Sequence, residues 1–228
     1  MYKSFSRFSE MKYQIGFLGA GNMAYALCSG FVDSKLVDSD KILVSSKTGR
    51  TFPKFKEIGV ETSLNNDHVL SNCEIVFLAV KPHILKPAIQ SGTFDPQGRT
   101  FVSVAAGVDI ATITKAISEK TINSVNNFDV LRVMPNTPSL VKLGAMGVSG
   151  ESKDMDFVLK LLSSVGEVEI VEEGLINAIC GMAGSGPAFV YTMIEAMSDA
   201  GVKQGLPRAI ATKFAAQTFL GERLNKPN

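Results

Sequence analysis

A Gly-x-Gly-x-x-Ala turn near the N-terminus constrains the fold more than any other feature of the sequence. A short apolar run at residues 15–18 precedes the turn, and a helical pattern of small residues follows from Ala24. Gly19 permits a sharp turn, and Gly21 lets a pyrophosphate approach the backbone at the free N–H groups of the helix. The pattern predicts a dinucleotide site; the alternative is a Gly-rich turn in some other α/β protein.

Apolar runs alternate with helical patterns over most of the chain. The clearest strand pattern is the β-branched run at 74–80, which Lys81 and Pro82 close. Further strands are predicted at 41–45, 60–62, 100–107, 130–134, 145–149 and 167–171. Runs of this kind are typical of parallel strands covered on both faces, and right-handed crossovers leave few topologies. The sequence predicts an α/β fold with an N-terminal Rossmann-type, doubly wound, mostly parallel sheet.

The pattern changes near Glu172, after which only helical periodicity remains. Helices are predicted over 174–182, from Pro187 and from Pro207, where a missing N–H costs nothing. We expect three parts: a disordered leader at 1–11, an NADP-binding Rossmann domain at 12–171, and an all-helical C-terminal domain at 172–228, for dimerisation and substrate binding. The helical domain is expected to be incomplete.

Composition excludes several classes of function. With 45% hydrophobic residues the chain can bury a core, and a net charge of +1 gives no basic field for nucleic acid or an anionic membrane. Two isolated histidines and three distant cysteines predict neither a metal site nor disulfides. No apolar run is long enough to cross a bilayer. We expect a cytoplasmic protein, with a mitochondrial location as the alternative because the leader is basic and serine-bearing.

The end of the second strand bears on cofactor choice. NAD sites place an acid there, whereas this segment has Ser45, Ser46, Lys47 and Arg50 and no acid. Hydroxyls and cations suit a 2′-phosphate, so NADP(H) is favoured over NAD(H). The alternative is that these cations are solvated and that selectivity is weak.

Several longer motifs resemble one family, the pyrroline-5-carboxylate reductases, and the resemblance covers Ile15 to about Gly221. Two segments are specific to it: Met134-Pro135-Asn136-Thr137-Pro138 and Gly184-Ser185-Gly186-Pro187-Ala188. Others are Phe77-Leu78-Ala79-Val80-Lys81-Pro82, Ser103-Val104-Ala105-Ala106-Gly107 and Ala200-Gly201-Val202-Lys203-Gln204-Gly205-Leu206-Pro207-Arg208.

The resemblance implies hydride transfer from NAD(P)H to the C=N bond of L-1-pyrroline-5-carboxylate, giving L-proline. It implies no catalytic side chain and no metal, because the cofactor supplies the hydride and the protonated imine is electrophilic. Lys81 looks like a cofactor contact, with direct proton transfer as the less favoured role. A homodimer or higher homo-oligomer is expected of the full-length family.

The site residues follow from the same resemblance. Cofactor contacts are expected from Leu18, Gly19, Ala20, Gly21, Asn22 and Met23 at the pyrophosphate; from Ser45, Ser46, Lys47 and Asn66 around the adenosine ribose and its phosphate; and from Ala79, Val80, Lys81, Pro82, Ala105, Ala106 and Gly107 near the nicotinamide. Substrate contacts are expected from Asn136, Glu173 and Ser185.

The chain also departs from the family pattern. Ala183 replaces a usual serine and Phe189 a usual tyrosine, and the sequence ends before a Ser-Pro-Gly-Gly-Thr segment whose threonine contacts the imine nitrogen. We therefore expect a C-terminally truncated member. Two alternatives remain: a non-catalytic NADP(H)-binding remnant or regulatory module, and a relative of the β-hydroxyacid dehydrogenases. The second would need a lysine general base soon after Glu172, and none occurs before Lys203.

Overall fold

The computed structural model describes residues 11–92, 94–119 and 127–225. The predicted leader, apart from Met11, lies outside the described residues. Within them, an eight-stranded sheet with helices on both faces forms the first of two compact units. The predicted Rossmann-type α/β architecture is confirmed.

The strand order is β3-β2-β1-β4-β5-β6-β7-β8, so the chain winds outward from β1 in both directions. The strands are β1 Tyr13–Leu18, β2 Ile42–Ser45, β3 Glu61–Ser63, β4 Cys73–Leu78, β5 Thr100–Ser103, β6 Asp129–Met134, β7 Gly144–Ser149 and β8 Gly166–Ile170. The strands from β1 to β6 pair in parallel. β7 runs antiparallel to β6, which the sequence pattern did not predict.

The helices connect these strands and continue after them. They are α1 Asn22–Asp33, α2 Phe52–Glu57, α3 Asn66–Asn72, α4 Pro82–Ile89, α5 Ile110–Ser118, α6 Met155–Ser163, α7 Ile176–Ile179, α8 Gly186–Lys203 and α9 Arg208–Asn225. A π-helical turn, Cys180–Gly184, follows α7.

Two buried apolar clusters hold the sheet between its helices. One joins alternate residues of β1 and β4 to α1 and α6, and in it the rings of Phe17 and Phe77 stack with centroids 4.9 Å apart. The other joins the opposite sheet face to α3, α4 and α5. Because side chains alternate between faces, both faces of β1 and β4 are buried, as their continuous apolar runs predicted.

The first unit ends later than the predicted boundary at residue 171. It extends to Gly184, and the second unit begins at Ser185. Residues 172–184 belong to the first unit because α7 packs on β7: a Cβ added to Gly147 would lie 2.3 Å from Ile179 Cδ1. The predicted helix at 174–182 is instead a 3-10 turn (Glu173–Leu175), then α7, then the π-helical turn.

The second unit is a pair of helices, α8 and α9. Between them they bury Ser198, Ala211 and Ala215. Gly201 allows the approach, since a Cβ there would lie 3.1 Å from Ala211 Cβ. Among the described helices, none is long and apolar enough to cross a membrane.

A cluster of acids at the amino edge of the sheet gives a prediction about pH. Burial, and then the charge of Asp154, raise the pKa of Glu74 to about 7. Since the folded state holds this proton where the unfolded chain has lost it, stability should fall as pH rises from about 4.5 to about 7. Glu74→Gln should therefore raise the free energy of unfolding at pH 8 by about 1 kcal/mol, discounted for partial exposure, and change it little at pH 4.5.

Urea unfolding at both pH values tests this, with the exposed Glu57→Gln on α2 as control. A stabilisation by Glu74→Gln that is equal at both pH values would contradict the titration account.

Candidate functional site

The loops that follow β1, β2, β4 and β5 meet at the carboxyl edge of the sheet. Ala79 N donates to Leu18 O at 2.8 Å, and Val104 N donates to Leu78 O at 3.2 Å. Gly19 N donates to Ser45 O at 2.9 Å. The loops after β1, β4 and β5 are thus each hydrogen-bonded to the end of a neighbouring strand, and the predicted cofactor segments lie along one edge.

The Gly-rich turn has the conformation that its glycines predict. Gly19 has φ +105°, and a Cβ there would lie 2.5 Å from Ala79 O, so a side chain would be both strained and crowded. At Gly21, by contrast, an added Cβ would meet no atom within 4 Å. Gly21 is the N-cap of α1, without a side-chain cap, and the first turn of α1 carries no acid. Exposed backbone N–H groups, open space and no negative charge suit a phosphate.

Two side chains that the sequence analysis missed contact this turn. Thr51 Oγ1 donates to Ala20 O at 2.7 Å. Lys54, on α2, donates from Nζ to Asn22 Oδ1 at 3.3 Å. The sequence offered only a cation on a weak helix as a signal for Lys54, because the contact joins residues that the sheet brings together.

At the end of β2, the hydroxyl of Ser45 is buried and hydrogen-bonded to other protein atoms. Ser45 is fully buried, and its Oγ donates to Asn66 Oδ1 at 2.9 Å and approaches Phe17 O at 3.3 Å. Asn66 Nδ2 donates to Ala88 O at 3.4 Å. Ser45 therefore orients Asn66, whose amide links α3 to α4. Ser46 is half-buried and Lys47 is exposed beyond the strand.

The segments predicted to lie near the nicotinamide form the next two loops. Ala79 and Val80 are half-buried, and Lys81 and Pro82 are exposed at the start of α4. After β5, Ala105 is buried, while Ala106 and Gly107 are exposed. A Cβ on Gly107 would meet no atom within 4 Å, so open space continues along this edge.

A buried guanidinium lies next to these loops, on β6. Arg132 has a side chain only 5% exposed, and its Nη1 lies 3.3 Å from Glu173 Oε1. Its Nη2 donates to Asn177 Oδ1 at 2.9 Å. The same Glu173 oxygen accepts the N–H of Ile110 at 2.7 Å, at the start of α5. The predicted substrate residue Glu173 thus also links β6, α5 and the 3-10 turn.

The second predicted substrate residue of this unit, Asn136, is buried after β6. Its Nδ2 donates to Ala183 O at 3.0 Å, and its Oδ1 accepts the N–H of Ala145 at 2.9 Å. A π-helix disturbs the regular hydrogen bonding of its turn, and Asn136 supplies a donor to one of the carbonyls there. The third residue, Ser185, is exposed at the N-cap of α8 in the second unit.

The structure therefore brings the predicted cofactor segments, with Asn136 and Glu173, to the carboxyl side of the first unit. The open space at Gly21 and Gly107 and the acid-free start of α1 fit a dinucleotide. Among the described residues, no three His, Cys, Asp or Glu side chains are grouped to hold a metal ion.

Two family profiles match the sequence. Residues 14–107 match the NADP oxidoreductase, coenzyme F420-dependent family, and residues 173–223 match the pyrroline-5-carboxylate reductase dimerisation family. The first includes the Gly-rich turn and the strand ends up to Gly107. The second begins at Glu173.

Individual relatives agree with these profiles. The chain is 37% identical over 214 residues to pyrroline-5-carboxylate reductase 3 of Danio rerio, covering 91% of this chain and 72% of that protein. A solved pyrroline-5-carboxylate reductase of Coxiella burnetii is 30% identical with a TM-score of 0.78, over 92% of this chain and 78% of that one. A Plasmodium falciparum pyrroline carboxylate reductase with NADP bound is 25% identical with a TM-score of 0.76, over 96% and 81%.

The chain spans 72% of the length of the Danio rerio relative, and 66% and 75% of two Macaca fascicularis relatives, pyrroline-5-carboxylate reductases 2 and 3. Structures of reductive aminases and other oxidoreductases share the fold at 10–13% identity.

The contacts of Arg132 give a prediction about stability. Arg132→Met keeps most of the side-chain volume but removes the donor to Asn177 and the cation beside Glu173, which keeps the N–H of Ile110. We expect a loss of about 2–3 kcal/mol in the free energy of unfolding, less than for a fully buried pair because Glu173 is partly exposed. Asn177→Ala removes one hydrogen bond and should cost about 1 kcal/mol.

Denaturant unfolding of the two variants measures both losses. Equal losses would contradict a dominant role for the ion pair.

Proposed function

Because the chain belongs to the pyrroline-5-carboxylate reductase family, we propose that it reduces the C=N bond of L-1-pyrroline-5-carboxylate to give L-proline, with NADP(H) favoured over NAD(H). The observation that carries the proposal is the 37% identity over 91% of the chain. The open, acid-free turn at Gly21 supports it independently of any relative. A cytoplasmic location stays a prediction.

The Gly-rich turn, from Leu18 to Met23, would hold the pyrophosphate at the start of α1. The adenosine ribose and its phosphate would be surrounded by Ser46, Lys47 and Asn66. Ser45 would keep Asn66 in place through its hydrogen bond to the Asn66 side chain. The loops at Ala79–Pro82 and Ala105–Gly107 would line the nicotinamide half, in agreement with the rule that ligands bind beyond the carboxyl ends of strands.

NADPH, when bound, supplies the hydride that the imine carbon accepts. The task of the protein is to hold the nicotinamide ring and the pyrroline ring of the substrate in the orientation that allows hydride transfer. Arg132 and the N–H of Ile110 fix the carboxylate of Glu173 beside the proposed nicotinamide loops. Asn136 fixes the backbone at Ala183. Glu173 and Asn136 would shape the imine site through the main chain as well as by contact. The predicted substrate contact of Ser185 stays a prediction.

Neither alternative activity gains support from the described residues. A β-hydroxyacid dehydrogenase would need a lysine general base early in the helical region, and α7 and α8 carry none before Lys203. The similarity to pyrroline-5-carboxylate reductases favours an enzyme over a cofactor-binding remnant.

We further propose that α8 and α9 associate with a second copy of the chain. The segment that matches the dimerisation family, 173–223, contains most of both helices. Their exposed apolar side chains include Phe189, Tyr191, Met193, Ile210, Phe214 and Leu220. Two helices with so much exposed apolar surface need a partner, and a second copy is the one that the family description supports.

A steady-state assay with L-1-pyrroline-5-carboxylate and NADPH tests the activity, and Gly21→Asp tests the site. The new carboxylate would occupy the space for the pyrophosphate and repel it, so binding of NADPH should fall by at least about 100-fold. Since a Cβ added at Gly21 meets no atom within 4 Å and the backbone there has φ −77°, the melting temperature should not fall. Binding of NADPH at the original affinity would refute the placement of the pyrophosphate.

Phe214→Glu tests the oligomer, because it places a charge on the proposed interface. Sedimentation velocity should show the variant as a monomer at concentrations where the unmodified chain is a dimer. Lys213→Glu, at the exposed neighbouring position, is the control for charge alone. A dimer that survives Phe214→Glu would exclude this part of α9 from the interface.

A further inference from the structure

Lys54 is a cation that contacts the Gly-rich turn and for which neither the sequence motifs nor the proposed function gives a role. Its Nζ lies 3.3 Å from Asn22 Oδ1, and Asn22 is the first residue of α1. Lys47, in contrast, is exposed in the loop that follows β2. The two lysines are therefore at different parts of the dinucleotide site, one at the start of α1 and the other at the end of β2.

The ammonium group of Lys54 is held in position by aromatic rings. Nζ lies 4.7 Å from the centroid of the Tyr25 ring and 5.6 Å from that of Phe55. Tyr25 is on α1 and Phe55 is the buried residue of α2, so the lysine side chain lies between the two helices. A cation confined in this way loses less conformational entropy when it binds an anion than a freely moving surface lysine does.

In the part of the chain that the structure describes, the charge of Lys54 has no acidic partner. Among residues 11–92, 94–119 and 127–225, no carboxylate lies within ion-pair distance of Lys54, although five other cations there have one. Burial lowers the pKa of Lys54. A partly desolvated ammonium beside a helix start that lacks acids and has open space is a favourable partner for a phosphate.

We propose that Lys54 binds the pyrophosphate of the dinucleotide, together with the N–H groups at the start of α1, and so strengthens binding of NADH and NADPH alike. This inference rests on the proposed function, and it assigns to Lys54 a role different from that of Lys47. Lys47 would act on the 2′-phosphate, which only NADPH carries. Lys47, at the end of β2, then determines selectivity between the two cofactors. Lys54, on α2, contributes affinity that is the same for NADH and NADPH.

Calorimetric titration of the full chain with NADPH and with NADH tests the inference. Lys54→Met keeps the apolar stem against the rings and removes the charge. We expect its Kd to rise about tenfold for both nucleotides, equivalent to about 1.4 kcal/mol, with an unchanged melting temperature. Lys56→Met, at an exposed position of the same helix, should leave both Kd values unchanged. Lys54→Arg keeps the positive charge and should retain most of the affinity that Lys54→Met loses.

Lys47→Glu is the contrasting variant, since it should weaken NADPH more than NADH. Adenosine 2′-monophosphate, which has no pyrophosphate, should bind Lys54→Met as it binds the unmodified chain and should bind Lys47→Glu more weakly.

Three results would overturn the inference. If Lys54→Met binds both nucleotides with unchanged Kd, then Lys54 only packs against Tyr25. If it loses affinity for NADPH alone, Lys54 contacts the 2′-phosphate instead. If the unmodified chain binds neither nucleotide, the proposed function fails and this inference fails with it. Titration of the unmodified chain therefore distinguishes failure of the proposed function from failure of the role of Lys54.

Discussion

Backbone hydrogen bonds at the ends of the parallel strands determine where the loops after β1, β4 and β5 lie. Ala79 N to Leu18 O, Val104 N to Leu78 O and Gly19 N to Ser45 O each join a loop to the end of an adjacent strand. Because of these bonds, residues far apart in the sequence share one edge of the sheet. Without them, the open space at Gly21 would belong to an isolated turn, and the later loops would have no fixed relation to it.

Around this edge, several polar side chains hold the main chain in place. The hydroxyl of Ser45 and the amides of Asn66 and Asn136 are hydrogen-bonded to other protein groups. The guanidinium of Arg132 is likewise paired with Glu173. Asparagine or serine at a motif position can contact a ligand or brace the loop that does, and residue type alone does not separate the two. Lys54 is the opposite case, since its charge has no acidic partner among the described residues.

The sequence predicted the parts of the fold that depend on local pattern. The glycine turn, the apolar strands and the change to helices near residue 172 were visible because each depends on neighbouring residues. The antiparallel direction of β7, the π-helical turn and the extension of the first unit to Gly184 were not, because pairing partners and packing on Gly147 decide them. For the same reason, the contacts of Thr51 and Lys54 became visible only in three dimensions.

The two outer strands of the sheet restrict how copies of the protein can meet. β3 is only three residues long, and β8 exposes Glu167 and Glu169 along its length. Short edge strands with acidic side chains discourage another strand from adding to the sheet. When two such edges approach, their glutamates repel each other and oppose the formation of backbone hydrogen bonds. Growth of the sheet from one molecule into the next is therefore disfavoured.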